Sequence, residues 1–252
     1  MSQVYRLRPS NDQTLDELKN NYLWFSRPSR YKDVADSNVV AFTENNESIK
    51  NSFDSIFTDT KKVGEIARCV GICCFTKELP PENNWKDFHK GHNGIFIEYD
   101  KNILDEHFIN KFGIGDCFKN VEYLDNPLVF DSYSTHDVVW EIISDGIIYK
   151  SLREIENNPK LMDGLFLRMF TRINRKYCKQ NEQRIILGGR NIPDTSPEIA
   201  GYKISIPSNS IKRIHLHPKT PSDIIEELER LKIETIKSPV VNTVHITLPR
   251  SE

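Results

Sequence analysis

Arg68-Cys69-Val70-Gly71-Ile72-Cys73-Cys74-Phe75-Thr76 is the stretch on which the fold turns. No charge interrupts it from Cys69 to Phe75, and Val70, Ile72 and Phe75 are strong strand formers. A short apolar run of this kind predicts a central strand covered on both faces.

Working outward, Val4 to Arg8 alternates and predicts a first strand. Asn11 to Asn21 reads as a short helix with Asp12 or Thr14 as its cap. Tyr22 to Ser26 predicts a second strand, stopped by Arg27-Pro28. Ile49, Phe53, Ile56 and Phe57 place a helix over 45–59. Further strands are expected over 94–99, 118–124, 184–187, 201–206, 211–216 and 243–248. Further helices are expected over 103–110, 135–156, 159–176 and 221–232. Strands alternate with helices but come in runs, which predicts an α+β fold. The expected architecture is a mixed or antiparallel sheet core with peripheral helices, formed by residues 1–252 as one domain. The strands at 4–8, 22–26 and 184–187 are expected in one sheet system.

Composition narrows the function classes. Lys and Arg number 34 against 36 Asp and Glu, for a net charge of −2. Such a chain has no global basic field to recruit nucleic acid, although a local basic groove remains compatible with it. The five cysteines, Cys69, Cys73, Cys74, Cys117 and Cys178, include no CxxC pair. Buried thiols in a reducing cytosol are the expectation. The seven histidines show no HExxH and no Cys/His cluster, so no metal site is expected. The N-terminus has no signal-peptide core, and the longest apolar run is far too short to span a membrane. A cytoplasmic protein without membrane association is expected.

The richest chemistry lies at Lys176-Tyr177-Cys178-Lys179-Gln180-Asn181-Glu182-Gln183-Arg184, which runs into Ile185-Ile186-Leu187. Gln180, Glu182 and Arg184 are each two apart, and on a strand they would share one face. Arg184 would hold the Glu182 carboxylate ionised and oriented toward a hydroxyl or a cationic intermediate. The competing reading is a structural Glu–Arg pair at a strand entrance.

Four segments in order resemble a large bacterial family catalogued as domain of unknown function 2971. They are Tyr5-Arg6-Leu7-Arg8; Ser26-Arg27-Pro28 with Tyr31-Lys32-Asp33; Cys74-Phe75-Thr76, followed by Trp85-Lys86-Asp87-Phe88 and His92-Asn93-Gly94; and Tyr177 through Arg184. The resemblance spans about residues 4 to 220. Lys32, Phe88, Tyr177 and Gln180 stand where the family has Asn, Tyr, Trp and Glu. The order of basic strand, Ser-ended strand and late Glu also resembles the ADP-ribosyltransferase layout, with its split sheet and NAD cleft. That likeness implies a bacterial cytosolic effector, an ADP-ribosyltransferase or NAD glycohydrolase of phage defence or of a toxin–antitoxin pair. It would use NAD and a macromolecular acceptor, protein or nucleic acid, with an antitoxin or defence partner. Glu182, Gln180 and Arg184 would be catalytic, with Gln180 facing the acceptor. Arg8, Ser26, Tyr31, Asp33 and His92 would bind the cofactor.

Two rivals stand beside this reading. One is a nuclease-like toxin with Asp33, Glu98 and Glu182 on a metal ion. The other is a non-catalytic sensor or interaction module. The sequence carries no Walker loop, no GxSxG and no GxGxxG.

Overall fold

The computed structural model describes residues 3–28, 41–42, 70–81, 94–125, 129–130, 170–188, 192, 199–217, 220–231, 234–238 and 243–247; of 41–42, 129–130, 234–238 and 243–247 it describes the backbone alone. The expected helices over 45–59 and 135–156 lie outside these residues, as do Tyr31, Asp33 and His92.

Strand β1 (Gln3–Pro9) opens the described chain. Asn11 caps α1 (Asp12–Lys19) by accepting the Thr14 N–H, so the cap falls one residue before the expected Asp12. β2 (Tyr22–Ser26) follows, then the short β3 (Ala41–Phe42) and the apolar β4 (Val70–Thr76). β5 (Gly94–Asp100) is buried at all seven positions, rather than alternating as a half-exposed strand would. Asp100 caps α2 (Lys101–Phe112) through the Asn102 and Ile103 N–H groups. Gly113 ends that helix at φ 70°, a left-handed conformation that favours glycine.

The single strand expected over 118–124 is two: β6 (Lys119–Asn120) and β7 (Glu122–Leu124). β8 (Val129–Phe130) pairs with β3. The end of the helix expected over 159–176 is instead β9 (Arg172–Asn174), which pairs with β7. A 3₁₀ helix over Arg175–Gln180 comes next, and then β10 (Glu182–Gly188). β11 (Gly201–Ser205), β12 (Ile211–Leu216) and α3 (Ser222–Arg230) fall close to expectation. β13 (Glu234–Ser238) is a strand that the apolar pattern did not suggest; it pairs with β14 (Thr243–Thr247).

Ten of the described strands form one antiparallel sheet, and β4 is its hub. β10 pairs with β4 along its whole length, from Glu182 opposite Thr76 to Gly188 opposite Val70. On the other edge, β1 meets β4 at Tyr5–Thr76 and β2 meets it at Ser26–Ile72. The two strands therefore share one edge of β4 at opposite ends and part between them. β1 continues the sheet to β5, β12, β14 and β13, while β2 continues it to β11.

Because directly opposed residues share a face, the register sorts the side chains. The inner face carries Val4, Phe25, Cys73, Phe75, Ile97, Tyr99 and Ile185, packed on Leu15 and Leu18 of α1 and Leu104 and Phe108 of α2. Gly71 also lies on this face, where a Cβ would meet the Tyr202 ring at 3.0 Å and Phe25 Cβ at 3.1 Å. No disulfide links the described cysteines: Cys73 is fully buried, and Cys74, Cys117 and Cys178 are likewise thiols. Among the described residues no helix is long and apolar enough to cross a membrane.

Candidate functional site

The outer face of the sheet carries a row of polar groups. Read across the strands, Glu182 opposes Thr76, Thr76 opposes Tyr5, Tyr5 opposes Glu98, and Glu98 opposes Arg213. Each step is one strand spacing of about 4.8 Å.

Glu182 and Arg184 share this face, as their spacing predicts. Arg184 forks the carboxylate: Nε donates to Oε1 at 2.7 Å and Nη2 to Oε2 at 3.3 Å. Nη1 donates to the Phe170 carbonyl at 2.9 Å. Both side chains are buried, Arg184 at 1% exposure and Glu182 at 8%. The Glu182 N–H donates to the Tyr123 hydroxyl at 2.6 Å, which ties the strand entrance to β7. Burial pushes the Tyr123 phenol up to about 12, with the Glu182 charge adding to the shift.

A second pair lies further along the row. Glu98 Oε2 is 3.0 Å from His215 Nε2, and both residues are almost fully buried. The Tyr5 ring stands edge-on to His215 with centroids 5.8 Å apart. Glu98 and Glu182 are separated by three strand spacings, about 14 Å, too far for one metal ion or a bridged pair. Among the described residues no group of three His, Cys, Asp or Glu could hold a metal ion.

Arg8 does not join this face. It is three residues from Tyr5, so strand alternation sends it to the opposite side, where it pairs with Glu17 of α1. Glu17 is 1% exposed and takes both Arg6 and Arg8. Arg6 hydrogen-bonds Glu17 and also donates to the Trp24 carbonyl at 2.6 Å. Arg8 Nε lies 2.7 Å from Glu17 Oε2 but without hydrogen-bond alignment, so that contact is purely ionic. Burial, and then the neighbouring Arg6 charge, pull the Arg8 guanidinium below its ordinary value. Glu17 escaped the sequence reading. Two arginines on one face of a buried strand were its signal, since buried charges need partners.

Two further expectations need correction. Gln180 does not share the Glu182 face, because the strand begins only at Glu182. Gln180 ends the 3₁₀ helix, and Asn181 turns the chain at φ 43°. Ser26 does share the outer face, through its partner Ile72, but it lies four residues along β4 from the Glu182 row. That is roughly 13 Å along the strand and two strands across. The structure thus brings Glu182 and Arg184 together, leaves Ser26 distant on their face and puts Arg8 behind the sheet.

No family model, curated protein or solved structure matches this chain.

Proposed function

We propose that the chain is a non-catalytic sensor or interaction module. Its sheet serves as a rigid base, and the exposed 3₁₀ helix at Arg175–Gln180 serves as the contact surface. One observation carries this reading: the charged candidates of the sheet are already engaged with one another. Arg184 forks Glu182, Glu17 holds Arg6 and Arg8, and His215 holds Glu98. A carboxylate held by a two-point arginine contact is oriented for structure. The resemblance to domain of unknown function 2971 belongs to the same proposal. The test is to incubate the full chain with NAD, and separately with RNA and DNA plus Mg²⁺ or Mn²⁺. Neither nicotinamide release nor cleavage is expected. Turnover abolished by Glu182→Gln would overturn the module.

One observation favours a second reading, the NAD-consuming transferase. Glu182 and Ser26 face the same side of a sheet whose strands β1 and β2 part from one edge of β4, a layout compatible with a split sheet. In that reading Glu182 would stabilise positive charge at the ribose C1′ as nicotinamide leaves with the bonding pair. Water or an acceptor would then bond to C1′ and lose a proton to solvent. Arg184 would first have to release the carboxylate, and Arg8 would have no part.

A further inference from the structure

We propose that the N-terminus of α3 binds a phosphate group, an inference that goes beyond the module reading and does not rest on it. Pro221 occupies the cap position of α3, and no side chain caps the helix start. A proline there offers no side-chain acceptor. The N–H groups of Ser222, Asp223 and Ile224 have no acceptor within the helix. They form its positive end, because the peptide dipoles of this nine-residue helix add toward that terminus. Ser222 and Asp223 are exposed, so a ligand reaches the end from solvent.

A second observation points to a ligand at the same place. Thr220 is 7% exposed, and its Oγ1 is buried without a hydrogen-bond partner. Thr220 directly precedes Pro221, one Cα step of about 3.8 Å from the cap, so the hydroxyl borders the unsatisfied N–H groups. Buried hydroxyls are nearly always bonded, and an orphan one marks a place that an ion or a water completes. An oxyanion seated on the helix end accepts from the N–H groups and from this hydroxyl together. Phosphate suits converging donors of this kind.

The site is held from both sides. The Thr220 N–H donates to the His217 carbonyl at 2.9 Å, and His217, just past β12, is buried. On the helix side, the Ile225 N–H closes the first turn on the Pro221 carbonyl at 3.2 Å, and Ile224 and Leu228 are set in the core. The donors are thus in place before a ligand arrives. Most acids of α3 do little against an anion. Glu226 and Glu227 pair with Arg230, Glu227 also pairs with Lys19, and Glu229 lies at the far end. Asp223 alone is acidic in the first turn.

The experiment is an amide-resolved NMR titration of the isotope-labelled full chain. One arm adds inorganic phosphate, a second a nucleoside monophosphate, and a control adds chloride at equal ionic strength. The Ser222, Asp223 and Ile224 amides should shift and saturate, with a midpoint of about 1 mM, and chloride should leave them in place. Tighter binding of the monophosphate identifies the phosphate of a larger ligand; equal or weaker binding identifies the free ion. Thr220→Val should weaken binding about tenfold, whereas Thr220→Ser keeps the hydroxyl and should bind as the parent does. Asp223→Asn removes the opposing charge and should tighten binding about threefold. Circular dichroism should show each variant folded. Absence of saturable shifts below about 10 mM in both arms overturns the proposal. So does an equal response to chloride, or a folded Thr220→Val that binds as the parent does. Should Thr220→Val not fold, the exposed Asp223→Asn variant decides, and an unchanged affinity there overturns the site.

Discussion

Two charge clusters on opposite faces of the sheet are assembled differently. On the inner face, Glu17 comes from α1 and meets two arginines from β1. That cluster exists only when the helix is docked. On the outer face, Glu182 and Arg184 come from the same strand, two residues apart. That pair needs only a straight strand, and the Phe170 carbonyl steadies it. A charge cluster assembled from two elements carries tertiary free energy, whereas a pair within one strand mainly orients itself.

The largest test of this contrast is Glu17→Ala. It leaves two buried guanidiniums without their shared carboxylate, and removing one partner of a buried ion pair costs about 3–5 kcal/mol. Denaturant unfolding should show a fall of at least that size. A loss below about 1 kcal/mol would mean that α1 is not held by its charge.

Next comes the long-range pair of the outer face. Glu98→Gln weakens a buried contact to His215, and hydrogen bonds to charged groups contribute about 1.5–3 kcal/mol. The same unfolding measurement should place it between the other two substitutions. Glu182→Gln should cost least, about 1 kcal/mol, because one oxygen still accepts from Arg184 and the Phe170 carbonyl still holds Nη1. If Glu182→Gln proved as costly as Glu17→Ala, the distinction between the two clusters would collapse.

At about pH 8.5 the smallest effect is one of protonation. Burial pushes the Cys73 thiol up to about 12, while an unfolded cysteine ionises near pH 8.5. Between these values the folded state keeps a proton that the unfolded state loses. The contribution is therefore fully present below about pH 8.5 and declines as pH rises toward the folded value. Tyr123 acts in the same direction. Thermal melts should thus fall on the alkaline side. At pH 8, Ellman's reagent should label exposed Cys178 at once and Cys73 only on unfolding. Rapid labelling of Cys73 would place it outside the core.

What the sequence disclosed follows the strength of local patterning. β2 and β12 have the expected ends, and β4 lies within its expected span, because apolar runs and turn residues mark strands locally. The pair Glu182–Arg184 was legible for the same reason, as two residues of one strand. Gln180 was not, because nothing in its own neighbourhood announced that Asn181 would take a left-handed turn. Nor was the end of the expected 159–176 helix, where the Glu122 N–H bonds the Thr171 carbonyl and draws the backbone into β9. Arg8 was misplaced by order along the chain. Order names the strand, but only parity against a paired neighbour names the face.

β4 also has a kinetic consequence. Its partners come from opposite ends of the chain: β1 and β2 precede it, and β10 follows much later. The hub cannot be fully hydrogen-bonded until the chain has been made nearly to residue 188. Closing such distant contacts is entropically slow and predicts folding far below the speed of helical proteins of similar size. During synthesis, the apolar stretch Val70–Phe75 emerges with β1 and β2 but without β10. An early chain therefore presents one bare, hydrophobic strand edge, the kind of surface on which chaperones act and aggregates begin.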